Sequence, residues 1–333
     1  MPKTSSEPDV TCKRTTLHGP TMGTRWSASL DFAAGLDLAA LHQDLAAAVQ
    51  LVDQQMSPWK PDSDLMRLNR APVDTWVDLP AELLEVLSCA LEIHRLSAGA
   101  FNPGVGALVD AWGFGAISDT PDAAAIRVVR QATPCPTHQA LVLDRPAGRA
   151  CKHASLQLDL CGIAKGYAVD RMAAVLHQHG VRYALAALDG ELRAVGSQAN
   201  GELWAVALER PEAGRRAAHG VIELQDLAVA TSGDYRRYLQ VGEARLAHTM
   251  DARRAAPVNN TVASVTVLAS SCMHADAWAT ALLVAGPGEG LAMAQRMTLD
   301  ALFLLRSAEG LVEMGLGRFG RSAVQSSLAC HTN

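Results

Sequence analysis

The stretch Leu156–Asp170, LQLDLCGIAKGYAVD, constrains this chain more than any other. Its first five residues alternate apolar and polar, the period of a strand. Gly162 interrupts the pattern and Gly166 follows one turn later. Tyr167, Val169, Met172, Val175 and Leu176 then recur at helical spacing up to Gly180. The pattern predicts a strand-to-helix junction carrying Asp159, the Ala164 carbonyl and Lys165. Free backbone N–H groups and the helix dipole suit such a junction to phosphate. A carboxylate and a lysine there suit a phosphorylated, metal-assisted ligand. A capping aspartate and a solvated lysine explain the same residues equally simply.

The rest of the chain limits the alternatives. A length of 333 residues suffices for one large or two smaller domains. The net charge of −5, with no basic tract, argues against nucleic acid as the main partner. The seven cysteines form no C-x-x-C pair, so neither a disulfide framework nor a zinc site is suggested, and a reducing compartment is expected. No signal peptide and no transmembrane run is visible, which predicts a cytoplasmic protein.

In order, residues 1–20 read as a flexible N-terminus and 21–32 as a strand. An amphipathic helix covers 36–56, with Leu38, Leu41, Leu45, Val49 and Val52 on one face. A Pro-broken loop holding Ser57 and Trp59 leads to a short helix capped near Ser63. Residues 80–97 form another helix, and the glycine-rich 100–115 segment follows it. That segment lacks the third glycine of a dinucleotide fingerprint and follows a helix, so a Rossmann reading is rejected. Residues 116–150 read as a surface excursion. Residues 182–196 and 202–211 read as two strands around the turn 197–201. Residues 245–258 are irregular, 264–270 a strand, 271–286 a helix start, and 287–318 helix, strand, turn and strand. Hairpins alternating with helices argue for an α+β fold with mixed or antiparallel sheets.

Three groups of residues are candidates for chemistry. Asp276 and Thr280 stand four apart on one helical face, where a carboxylate and a hydroxyl suit a hard cation such as Mg2+. A helix-terminal Asp and a packed Thr account for the pair as well. His248 lies in a loop-like segment and suits a general base, although a lone histidine is more often structural. Thr231, Ser232 and Asp234 surround a glycine turn that is not G-x-S-x-G, so a hydrolase elbow is unsupported.

Taken in succession, the segments are more specific than any one of them. MGT, MSPWKPDSDLMRLN, FNPGVGALVDAWGFG, LDLCGIAKGYAVD, ATSGDY, HTMDARRAAPV and ADAWATALLVAG follow one another over roughly residues 20–310. The series resembles the FAD:protein FMN transferases, the ApbE-type flavin transferases. The resemblance implies an ApbE-type, T-fold-like arrangement of mixed or antiparallel sheets with packed helices. It implies a single domain over 21–318 and a loose tail over 319–333. Such enzymes split FAD, attach FMN through a phosphoester to a threonine of an acceptor flavoprotein, and release AMP; some mainly hydrolyse FAD. The resemblance puts Mg2+ on the Ala164 carbonyl, Asp276 and Thr280. It puts FAD contacts on Met22, Trp59, Phe101, Asn102, Asp159 and Lys165, and makes His248 the candidate base. Many relatives work outside the cytoplasm.

Departures from the family pattern keep a non-catalytic FAD-binding protein as the alternative. Asn102 replaces the aspartate of F-D-P. Asp189-Gly190-Glu191 stands for G-G-D. Residues 251–257 lose the Pro, Thr and Gly of D-P-x-T-G-x-P, and Cys161 replaces a small residue.

Overall fold

The strand Val262–Ala269 is buried at every position but its last, so it fits only where both faces are covered. It is an inner strand of an eight-stranded antiparallel sheet. In spatial order the strands are Lys13–Thr21, Thr24–Phe32, Tyr183–Leu188, Glu191–Val195, Ala228–Gly233, Val262–Ala269, Asp300–Ser307 and Gly310–Leu316. The computed structural model describes residues 12–320 apart from 118, 133, 134, 213, 215, 216, 237, 242 and 243. The segments 1–11 and 321–333, expected to be loose, lie outside the described residues, as does Cys330.

Alternation along the strands sorts side chains into two cores. Ala301 and Phe303 face the helices Leu38–Met56, Ala164–Gln178 and Cys272–Arg296. Leu302 and Leu304 face the opposite way, toward a hairpin formed by Trp204–Glu209 and Ala218–Leu224. The hairpin buries Trp204, Val206, Leu208, Ile222 and Leu224 against the sheet. The sheet is therefore the middle layer of three, which makes the α+β architecture antiparallel throughout its main sheet.

Local chemistry sets the helix limits. Asp37 accepts bonds from the N–H groups of Ala39 and Ala40 and starts the first helix. Ser63 caps the short helix Asp64–Arg70, as the sequence indicated. The last long helix is two helical pieces joined at Gly286, where φ is 79° and Pro287 follows.

Several expectations are corrected. Residues 13–20 are not loose: Lys13–Thr21 pairs along its whole length with Thr24–Phe32. Residues 182–196 are not one strand but a hairpin turning at Asp189-Gly190, a strong two-residue turn signal. The strand after it pairs with Ala218–Leu224 instead of with that hairpin. Residues 116–150 contain the helix Ala123–Gln131 and two strands, Leu141–Asp144 and Arg149–Lys152, of a small sheet completed by Trp76–Asp78.

The most instructive correction concerns LQLDL. It is extended but belongs to no sheet. Its backbone is satisfied locally instead. The buried Asn69 amide donates to Leu158 O at 2.9 Å and accepts from Leu158 N at 2.7 Å, as a neighbouring strand would. Gly106 N donates to Gln157 O at 2.9 Å, and Asp159 N to Pro103 O at 2.8 Å. The buried ammonium of Lys152 donates to Leu156 O and Asn69 O.

Candidate active site

The helix Ala164–Gln178 begins at Ile163, whose own side chain makes no cap, beside a cleft, and its first N–H groups are met by the Leu160 carbonyl and the Asp276 carboxylate. The cleft has a volume of about 1210 Å³ and runs between the sheet, the helix layer and the Trp204–Glu209 hairpin. Met22, Trp59, Phe101, Asn102, Asp159, Ala164, Lys165, His248, Asp276 and Thr280 all line it. Residues far apart in the chain thus meet on one surface.

At the floor, the helices Ala164–Gln178 and Cys272–Arg296 touch at their first turns. Gly166 N donates to Asp276 Oδ2 at 3.0 Å. Thr280 Oγ1 lies 2.9 Å from Ser232 Oγ, which projects from the adjacent sheet strand. Gly162 sits against Thr280: a Cβ there would stand 3.0 Å from its hydroxyl. The contact is tied from behind by Asp170. Its carboxylate accepts from Cys272 N and Met273 N, both at 2.9 Å, from Ser271 Oγ at 2.8 Å, and from Arg193. One helix thereby caps the other.

Lys165 is not a solvated lysine. It donates to both Glu191 oxygens, at 2.8 and 3.0 Å, and lies 3.5 Å from Asp189. Burial alone would depress it, but the fields of Glu191, Asp276 and Asp189 prevail and hold the ammonium above its usual range. Burial and the charge of Glu191 push the Asp276 carboxyl up to about 8, with Lys165 acting against them. Burial likewise raises Glu191. Lys165 thus stands among three carboxylates, of which Asp189 also bonds Arg236, and the buried Asp276 is driven toward its protonated form for want of nearby positive charge.

At the rim, Trp59 is 46% exposed and presents a broad apolar surface. Met22 occupies the left-handed region, with φ 45°, in a two-residue turn completed by Gly23 at φ 71°. Both angles are positive, as a type I′ hairpin demands. Arg236 spans the mouth, bonding Asp189 at 2.7 Å and also Glu209. His248 is half-buried between the strands Ala244–Ala247 and Met250–Asp251.

The departures noted in the sequence have structural accounts. Asn102 Oδ1 accepts from Gly104 N at 2.8 Å and Thr137 Oγ1 at 2.7 Å, roles a carboxylate oxygen would fill equally. Asp189 sits at φ 55° and Ala255 at φ 48°, both where the family pattern has glycine. Asp251 compensates in its own loop, accepting from Arg253 N at 3.0 Å and from the Arg253 guanidinium.

Sequence reasoning missed Asp170 and Arg236 as parts of the site, named Ser232 only in a turn that fits no hydrolase elbow, and treated Glu191 only as a departure. Asp170 ends the most specific motif, which was a usable signal. Arg236 had none, because its partners Glu209 and Asp189 lie 27 and 47 residues away.

The scaffold and its contents define a class: an antiparallel α+β protein with a nucleotide-sized cleft whose floor is a helix start held by one buried carboxylate and flanked by another. The ApbE family model matches residues 22–303, and the chain belongs to the ApbE family. It is 33% identical over 316 residues to a FAD:protein FMN transferase of Vibrio cholerae, covering 91% of each chain. It is 33% identical over 318 residues to one of Haemophilus influenzae, covering 91% of this chain and 90% of that one. Among solved structures, the flavin transferase ApbE from Vibrio cholerae superposes with a TM-score of 0.83 at 32% identity, covering 93% of this chain and 99% of that one. The apo flavinyl transferase ApbE of Pseudomonas stutzeri gives 0.82 at 34% identity, covering 92% and 95%. Among the described residues no helix is long and apolar enough to cross a membrane.

Proposed function

We propose that this protein is a Mg2+-dependent FAD:protein FMN transferase that attaches FMN through a phosphoester to a threonine of an acceptor flavoprotein and releases AMP. The observation that carries this reading is the Lys165–Glu191–Asp276 cluster beside Thr280, at a helix start that Asp276 caps, in a cleft large enough for a dinucleotide.

The donor set fits the metal. The Ala164 carbonyl, the Asp276 carboxylate and the Thr280 hydroxyl are all oxygens, the choice of a hard cation. The surplus of carboxylates over ammonium is what a divalent ion offsets. When bound, Mg2+ supplies positive charge to the pyrophosphate oxygens.

The remaining roles belong to the chain. Met22, Phe101, Asn102 and Asp159 hold and orient FAD, and Trp59 offers its ring face to one of FAD's rings. Lys165, at the start of its helix, faces the charge that builds on phosphate. His248 takes the proton of the acceptor threonine as its oxygen bonds to the FMN phosphorus. The bond from that phosphorus to the bridging oxygen breaks, and AMP departs with its electron pair. Alignment of acceptor and leaving group is the main catalytic task. The free thiols of all six described cysteines support a cytoplasmic location.

FAD binding without transfer is the second reading, favoured by the altered loop 252–256 beside His248, where Ala255 is held at φ 48°. Incubating the protein with FAD and Mg2+, with and without chelator, and separating AMP and FMN by chromatography distinguishes the two. Metal-dependent AMP release that Asp276→Ala abolishes is expected. Unchanged release in that variant would overturn the metal assignment. Retained FAD with no AMP, even when candidate acceptor proteins are supplied, would favour the second reading.

A further inference from the structure

We propose that Asp74, Cys151 and His153 form a binding site for one Zn2+ ion, separate from the cleft. The three contribute a carboxylate, a thiol and an imidazole, three of the four positions of tetrahedral zinc, with water as the fourth. Their ligating atoms lie within 4.8 Å of one another. None of the three lines the cleft, and the proposal does not depend on the flavin reading.

The small sheet holds them together. Cys151 stands opposite Trp76, and Asp74 N donates to Lys152 O at 2.7 Å, which carries the register on to bring Asp74 beside His153. Cys151 and His153 are two residues apart and therefore share one face of their strand. His153 Nδ1 is 2.6 Å from Asp74 Oδ1. The thiol is 1% exposed, whereas the Asp74 and His153 side chains are 71% and 46% exposed.

Zinc–ligand distances of about 2.0–2.3 Å require ligand atoms roughly 3.3–3.8 Å apart. The Asp74–His153 pair must open by about 1 Å and the wider separations close by about as much. Rotation of two exposed side chains over a fixed thiol achieves both. Burial raises the Cys151 thiol above its usual range, so the metal-free site holds a proton that the ion displaces. The alternative is an ordinary surface ion pair next to a buried cysteine.

The site backs onto an anchor of the cleft. Lys152, between the two ligands, points to the other face and holds Leu156 O and Asn69 O. Leu156 opens the segment that presents Asp159.

The test uses the full chain, reduced with a phosphine and saturated with Mg2+, and titrated with Co2+ as the spectroscopic substitute for Zn2+. One equivalent of a near-ultraviolet thiolate-to-cobalt band is expected, displaced by Zn2+. Cys151→Ser should remove the band and Cys161→Ser should keep it. Asp74→Ala and His153→Ala alter exposed side chains and should each weaken Co2+ binding at least tenfold. A missing band, a band that survives Cys151→Ser, or unchanged affinity in both surface variants would overturn the proposal.

Discussion

Gly166 N–H and the Asp276 carboxylate meet at 3.0 Å, joining the first turn of one helix to the second turn of another. The approach depends on the missing side chain. A Cβ on residue 166 would lie 2.3 Å from Cys272 O and 2.8 Å from Asp276 Cβ. Two backbones therefore close on one spot, and both the Ala164 and Asp276 oxygens are set by that contact.

Gly166→Ala should accordingly force the helices apart. The expected loss of stability is about 1–3 kcal/mol, the usual result of overpacking. Urea unfolding measures it. Mg2+-dependent AMP release should fall further than stability alone explains, because the misplaced groups are the proposed metal ligands.

Asp170→Ala removes the acceptor of Cys272 N and Met273 N at the start of the Cys272–Arg296 helix, where Ser271 still caps His274 N, and leaves Arg193 without its carboxylate. Loss of a cap and a partly buried pair should cost about 2–4 kcal/mol. Denaturant midpoints check the size. Excess Mg2+ should restore part of the AMP release if the cap acts by positioning Asp276.

The metal-free protein should lose stability as pH rises from about 4 to about 8. Asp276 is raised from 3.8 to about 8 in the fold, so between those values the folded state keeps a proton that the unfolded chain has released. Its contribution is complete below the unfolded value and is lost as pH passes through the folded one. The slope is at most about 1.4 kcal/mol per pH unit for one group. Melting temperatures across this range test it. Asp276→Asn should flatten the decline and raise the melting temperature at pH 8, whereas Mg2+ should stabilise only the parent protein.

Ala255→Gly should be stabilising. Ala255 holds φ 48°, a region where a Cβ costs about 1 kcal/mol. A gain of at most about 0.5 kcal/mol is expected after the greater entropy of unfolded glycine is set against it. Thermal unfolding reads this out, and FAD turnover should stay within about twofold if the loop already has its working shape.

Asp189→Gly should tighten FAD binding. The change removes one of three carboxylates around Lys165 and frees Arg236 from one partner. A fall in the Kd for FAD of about threefold to tenfold, or up to 1.4 kcal/mol, is expected. Flavin fluorescence titration measures it, and a weaker complex would show that the aspartate contributes to the site.

Much of this was legible in order along the chain. The face of Leu41, Leu45, Val49 and Val52 marked its helix because burial repeats with the helical turn. Ser63 marked a helix start because capping is a local bond. The cleft residues were legible only because seven segments occur together, since each alone has a plain structural explanation. LQLDL misled because alternation reports that alternate side chains are buried, not what satisfies the backbone between them. Here the partner is Asn69, 89 residues away, acting in place of a strand.

The sequence by itself determined the long amphipathic helices, the local cap at Ser63, and which oxygen, nitrogen and glycine positions are available for chemistry. These are matters of local bonding and periodic burial, acting over a few residues. Tertiary structure alone decided that Lys165 faces Glu191, Asp189 and Asp276, that Asp170 caps a distant helix, and that Arg236 spans the cleft. Those relationships depend on backbones brought close by long-range packing. Their electrostatics follow from burial, which no single segment carries on its own.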